Sequence, residues 1–339
     1  MKKSVLLVVF LFFSAILIGG CGTNSIEESS GSKEQLKVYT SIYPLFDFAK
    51  HVGGEKIIVK NIIPAGAEPH DWEPSPQDMA EMTKADVLIL SSSGVEPWAD
   101  KVLDVIDKNK VTVILAGQNI ELIAGIPHDH DTPQEEHAHD QEANKEDRQQ
   151  EETDKHEEHD HDHSGKDPHI WLDPIHAKVM VDNILAGLVK VDEQNKGTYE
   201  ANAEAYKKEL DQLHEEYQTG LATAKLKEFV TSHAAFGYLA KRYNLIQVPV
   251  RGLTAESEPS PADMAAVIKL AREKNIKYIF FETLVSSKVS ETIASELQGQ
   301  TLVLDPIESL SDQDIAAGKD YLSIMRENLK NLKIALGAV

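Results

Sequence analysis

The chain predicts an α/β protein of two lobes, each with a mostly parallel β-sheet flanked by helices, joined by one long, stiff backbone helix. Three observations predict this. Short apolar runs of strand length alternate with helical patterns on both sides of the chain's middle. The middle itself keeps a helical repeat over some fifty residues. A seven-residue segment, Glu73–Met79 (EPSPQDM), returns 185 positions later as Glu258–Met264 (EPSPADM), each time just before a helix that leads into a strand. A near-identity of that length predicts one copy of a related α/β unit per lobe.

Taken in order, Val38 to Tyr43 reads as the first strand, Leu45 to Val52 as a helix and Lys56 to Ile63 as the second strand. Further strands are expected at Val87–Leu90, Val111–Leu115, Phe229–Ser232, Ile246–Val250, Tyr278–Glu282 and Thr301–Leu304. Most are apolar along much of their length, as parallel strands covered on both faces require. Helices are expected between them at Ser75–Thr83, Pro97–Lys108, Phe236–Tyr243, Pro261–Asn275 and Lys288–Gln298. Ser followed by Pro at the first helical turn explains both repeat copies as helix starts, so the repeat carries architecture and not function. The middle, Asp173 to about Ala224, spaces Ile184, Leu188, Tyr206, Leu210, Leu213 and Tyr217 at three and four within each half. A break at Asp192–Gly197 leaves a second helix of about 28 residues, roughly 42 Å long and able to bridge two lobes.

The N-terminus carries an address. Lys2 and Lys3, an apolar run from Ser4 to Ile18 and Gly19-Gly20 before Cys21 read as an export signal over residues 1–20. The lone cysteine after two small residues resembles a bacterial lipobox, which makes Cys21 the lipidated N-terminus of the mature chain. Residues 21–35 are then the anchor and a flexible polar tether, and the first lobe spans 36–172. The helical linker takes 173–224 and the second lobe 225–339. The expected location is the extracytoplasmic face of the cell membrane.

Composition removes several classes of function. With 56 acidic against 34 basic residues the net charge is −22, which repels nucleic-acid phosphates. The single cysteine excludes an intramolecular disulfide, a cysteine zinc finger and a CxxC redox pair. The residues that remain for chemistry are histidines and carboxylates. Eight of the fourteen histidines crowd into an insert, 127–166, at His128, His130, His137, His139, His156, His159, His161 and His163, among fifteen acidic and four basic residues. No apolar periodicity survives there, so the insert is expected to be disordered. Imidazoles spaced as HDH and HDHDH can chelate borderline divalent metals, and flexible ligands lose entropy on binding, so several weak, exchangeable ions are expected on it.

Four other residues outline a tighter site. His70 follows the second strand, His169 stands where the insert returns to ordered chain, His233 follows Phe229–Ser232, and Asp305 follows Thr301–Leu304. Three of these stand at the carboxyl ends of expected strands, where open α/β sheets bind ligands. Taken singly, each has an ordinary explanation: a hydrogen-bonded histidine, or an aspartate capping a turn before proline. Together, three imidazoles and a carboxylate complete a four-coordinate zinc shell.

The windows around them, PHDWEPSP, DPHIWLDP, TSHAAFGYLAKRY and LDP, are similar in order and spacing to the zinc-binding, cluster A-I solute-binding lipoproteins of bacterial ABC importers, the ZnuA/AdcA type. The resemblance runs from about Leu36 to the C-terminus and includes the position of the histidine-rich insert. It implies metal binding in a cleft between two lobes, with His70, His169 and His233 as ligands. Asp305 matches the fourth ligand, while zinc members of the family can use water or a nearby glutamate there, for which Glu68 is the candidate. It further implies a Zn2+ ion bound as transported substrate, and an ABC permease with its ATPase as partners, for a protein expected to be monomeric. Manganese members tend to carry a carboxylate where this chain has His233, so the third imidazole favours zinc, with a manganese carrier as the runner-up. The protein is expected to end with the second lobe, without the additional C-terminal metal-binding domain of some members of the family.

Two other classes share these residues. Three histidines with an open position are also the plan of a catalytic zinc, but the sequence holds no H-E-x-x-H helix and no Ser or Cys nucleophile motif. A carrier without enzymatic activity is therefore expected. A metal-dependent surface adhesin would carry the same motifs and stands as a further alternative.

Overall fold

The computed structural model describes residues 35–91, 94–125, 165–254 and 258–338. The export signal, Cys21, the tether up to Glu34 and all eight insert histidines lie outside the described residues.

The first strand, β1 (Leu36–Thr40), ends earlier than its apolar run predicts, and helix α1 (Tyr43–Gly53) begins at once with Pro44 in its first turn. Proline lacks the N–H that a first turn leaves unpaired and its φ is already helical, so it starts the helix and ends the strand. There follow β2 (Ile57–Asn61), α2 (Pro76–Met82), β3 (Val87–Leu90), α3 (Ala99–Val105) and β4 (Thr112–Leu115). All pair in parallel in the order β2-β1-β3-β4. The second lobe repeats the plan. Strands β5 (Glu228–Thr231), β6 (Ile246–Pro249), β7 (Tyr278–Phe281) and β8 (Gln300–Val303) are parallel in the equivalent order β6-β5-β7-β8. Helices α6 (Gly237–Arg242), α7 (Pro261–Glu273) and α8 (Lys288–Glu296) connect them. The two EPSP segments do the same work in both lobes. Ser75 and Ser260 each accept the N–H of the aspartate three residues on at 3.2 Å, and each aspartate accepts the serine N–H in return, at 2.9 and 3.0 Å.

Between the lobes run α4 (Pro174–Val191) and α5 (Lys196–Leu221), separated by a 3-10 turn at Glu193–Asn195 in the expected break. With 26 residues, α5 is about 39 Å long. It buries Tyr199, Ala203, Tyr206, Leu210, Leu213, Tyr217 and Leu221 along one stripe. That stripe holds both lobes. Asn202 donates to the Val52 carbonyl of α1 at 3.1 Å and Tyr206 to the buried Asp47 carboxylate at 2.7 Å, while Tyr217 donates to the Met325 carbonyl at 2.6 Å. Met325 belongs to α10 (Tyr321–Leu336), which, like the short α9 (Asp312–Ala316), sequence reading leaves unassigned. The signal was present, since Leu322, Met325, Leu329, Leu332 and Leu336 recur at three and four and all are buried. One apolar core runs from the first sheet through α4, α5 and α10 to Phe229, Phe280 and Leu304 of the second lobe; a smaller one, with Val230, Val267 and Ile279, lies within the second lobe.

Candidate metal centre

Because all eight strands are parallel within their sheets, the loops that leave their carboxyl ends lie at one edge of each lobe, and the site is assembled from those loops. The loop after β2 carries Glu68 and His70, His233 stands two residues past β5, and Glu308 five past β8. His169 precedes a 3-10 turn at Ile170–Leu172 that leads into α4.

His70, His169, His233 and Glu308 offer one ligand atom each, and all four atoms lie within 4.8 Å of one another. The Nε2 atom of His169 is 3.2 Å from that of His70 and 3.4 Å from that of His233. Glu308 Oε1 is 3.0 Å from His169 Nε2 and 3.6 Å from the Nε2 atoms of both His70 and His233. Four atoms bound tetrahedrally at about 2.0–2.1 Å to zinc stand about 3.3–3.4 Å apart, so the group has the dimensions of such a shell. Glu308 Oε1 is buried yet forms no aligned hydrogen bond, although His169 Nε2 is 3.0 Å away, which leaves it free to ligate an ion.

The outer nitrogens of two imidazoles are held. His169 Nδ1 lies 2.9 Å from Asp167 Oδ1, which also accepts the His169 backbone N–H, and His233 Nδ1 lies 2.7 Å from Glu282 Oε1, where Ser232 also donates. A carboxylate behind a ligand imidazole fixes the ring and leaves Nε2 as the free donor atom. Asp167 reaches its place because Gly237, at the start of α6, has no Cβ; one built there would meet Asp167 Oδ2 at 2.4 Å.

Charge balance in the site follows from burial. Burial alone would lower the His169 pKa, but the carboxylates of Asp167 and Glu308 outweigh it and raise it. His233 is raised well above the usual histidine value, with Glu282 and Glu308 overcoming its burial. Burial works against the Glu308 anion, yet the three imidazoles hold its pKa well below the ordinary carboxylate value. Glu68 is pushed up to about 9, by burial and then by the neighbouring Glu308 carboxylate. Glu68 stands beside the group and is not one of its four members.

Asp305, expected from the sequence as the carboxylate of the set, stands outside it. Its Oδ1 accepts the Ile307 N–H of its own loop at 2.7 Å and its Oδ2 the Thr283 hydroxyl, from the loop after β7, at 2.8 Å, so both oxygens are spent away from the imidazoles. Burial pushes its pKa up to about 6. The carboxylate that reaches the imidazoles is Glu308, three residues on. Sequence reading passed over it, because the wholly buried run Leu304–Leu310 holds two carboxylates, Asp305 and Glu308, and its pattern does not choose between them.

Comparisons with known proteins fall on one family. The model of the ZnuA family, described as "Zinc-uptake complex component A periplasmic", matches residues 38–335. The Bacillus subtilis high-affinity zinc uptake system protein ZnuA is 39% identical over 336 residues, covering 99% of this chain and 98% of that protein. The zinc-binding lipoprotein AdcA of Streptococcus pneumoniae is 37% identical over 98% of this chain, which spans 61% of AdcA's length. The crystal structure of the Zn(II)-bound ZnuA-like domain of that AdcA superposes with a TM-score of 0.71 at 35% identity, covering 89% of this chain and 99% of the domain.

Proposed function

The chain belongs to the ZnuA family of zinc-uptake components, and from that premise we propose that it captures Zn2+ between its lobes and delivers it to the permease of an ABC importer. The observation that carries this reading is the convergence of three imidazoles and one carboxylate at tetrahedral spacing in a buried site. His70, His169, His233 and Glu308 are the ligands. Three nitrogen donors favour zinc over the harder manganese, which prefers oxygen. Asp167 and Glu282 hold His169 and His233 so that Nε2 faces the ion.

The protein's task is capture and transfer, with no bond made or broken in the cargo, so it is not an enzyme. Export and lipidation at Cys21 hold it at the outer face of the membrane as a monomer, beside the permease and its ATPase. Residues 36–172 and 225–339 act as the two lobes, with 173–224 as their bridge. The histidines of insert 127–166 raise the concentration of zinc near the cleft.

The test is a competitive zinc and manganese titration of the chain from Gly22 onward, with and without residues 127–166. One tight zinc equivalent in both forms, with manganese much weaker, is the expected result. Loss of tight binding with the insert would move the functional site out of the cleft, and preference for manganese would make this a manganese carrier.

A further inference from the structure

The loop that delivers Glu308 has an unusual backbone. Ile307 sits at φ +60° and is fully buried. Left-handed φ is uncommon for any residue but glycine and is a real departure for a β-branched one. The other non-glycine residues with positive φ among the described residues are three asparagines and a glutamine, so Ile307 is the only β-branched one. Such a conformation persists only where its surroundings enforce it, and it turns the chain so that residue 308, not residue 305, faces the imidazoles.

The enforcing contacts centre on Asp305. Its carboxylate accepts the Ile307 N–H at 2.7 Å and is itself fixed by the Thr283 hydroxyl at 2.8 Å. Its backbone is clamped by Asn328, whose Oδ1 accepts the Asp305 N–H at 2.9 Å and whose Nδ2 donates to the Asp305 carbonyl at 2.7 Å. Beyond the turn, Trp171 Nε1 donates to the Pro306 carbonyl at 2.7 Å and the Tyr43 N–H to the Glu308 carbonyl at 3.2 Å. These two contacts hold the loop's path but not its φ angle. The N–H of Ile307 has its acceptor in Asp305, and without it a buried donor is left unpaired unless the turn relaxes.

We propose that Asp305 is a positioning residue for zinc capture: by accepting the Ile307 N–H it locks the left-handed turn that presents the Glu308 carboxylate to His70, His169 and His233. This rests on the reading of Glu308 as a zinc ligand given above.

The test is a zinc titration against a competing chelator on the full, metal-free chain and five variants: Asp305→Ala, Asp305→Asn, Glu308→Ala, Asp305→Ala with Glu308→Ala, and Thr283→Val. Asp305→Ala is expected to lower zinc affinity about 10- to 100-fold, as removal of a residue that orients a metal ligand does. Asp305→Asn keeps an oxygen for the Ile307 N–H and is expected to lose about threefold or less. In the Glu308→Ala background Asp305→Ala is expected to add less than about twofold, because its effect runs through the missing carboxylate. Should Asp305→Ala not fold, as thermal unfolding would show, Thr283→Val loosens the same carboxylate from outside the loop. It is expected to lower affinity about three- to tenfold, again only while Glu308 is present. Equal losses in the Asn and Ala variants, or full additivity with Glu308→Ala, would overturn the proposal. An undiminished affinity in Glu308→Ala alone would overturn the ligand reading itself, a result that needs no change at residue 305.

Discussion

At the scale of single residues, zinc capture is set by what each imidazole must release. Zinc binds the neutral ring, and the carboxylates around His169 and His233 hold both protonated to a higher pH than an ordinary histidine near 6.5. The sign follows from this. As pH falls, protons compete more strongly and zinc affinity falls. Because both values are raised, the decline begins above pH 6.5, as zinc must displace the protons these rings hold there. Glu308, held well below the usual value, stays ionised throughout and adds no slope there. Affinity measured by chelator competition from pH 5 to 9 checks this, and a flat profile between 6.5 and 8 would contradict it. Glu282→Gln, which weakens the carboxylate behind His233, should cost about 10- to 100-fold in zinc affinity while leaving one binding equivalent. The three histidines were legible in the sequence because each stands at a strand end or beside an apolar window. Glu282 gives no local signal, forty-nine residues from His233, whereas Asp167 stands two residues before His169 in the DPHIWLDP window and its role as holder shows only in the contact.

At the scale of elements, α5 carries the connection between lobes and its hydroxyls mark where it is fastened. Asp47, buried in α1, accepts Tyr206 of α5 at 2.7 Å, the Tyr321 N–H of α10 at 3.3 Å and Tyr43 of its own helix at 3.4 Å. Tyr206→Phe removes the shortest of these and is expected to lower stability by about 1–3 kcal/mol. Denaturant unfolding of the metal-free protein measures it, with zinc stoichiometry unchanged. Gly237 is a second such point. Ala there would drive a methyl into Asp167 Oδ2 and displace the group that aims His169, so Gly237→Ala should weaken zinc binding in a chelator titration with little change in helix content. The helices of the first two thirds of the chain, and both EPSP starts, follow from capping residues and apolar spacing. The early end of β1 follows from Pro44, whose effect an apolar count does not register.

At the scale of the whole molecule, the two lobes repeat one sheet order and share the main core, with a smaller core of the second lobe beside it. The main core passes continuously from the first sheet through α4 and α5 into the second lobe. Opening the site by a large rotation would break that core, so closure around zinc is expected to be small, on the order of 1 Å in interface backbone. Hydrogen exchange with and without zinc checks this: slowed exchange should be confined to the loops after β2, β5 and β8 and around His169. Slowed exchange along the whole of α5 would contradict it. No helix of the described residues is long and apolar enough to cross a membrane. On the lipidation proposed above, Cys21→Ser is expected to release the protein into the soluble fraction, as membrane fractionation would show.

The sequence by itself determined the parallel α/β pair, the helical bridge and the three imidazoles, because strand-length apolar runs, helical spacing and a repeated cap are local patterns that survive being read in one dimension. The carboxylate was decided only in three dimensions. Asp305 and Glu308 lie on the same short loop, and nothing local favours the second. The choice depends on a left-handed turn at Ile307 held by Asp305, on Thr283 and Asn328, and on Trp171 and Tyr43 brought in from the rest of the chain. A backbone angle that costs energy locally is fixed by a carboxylate two residues away, which is itself held, with the rest of the loop, by contacts distant in sequence.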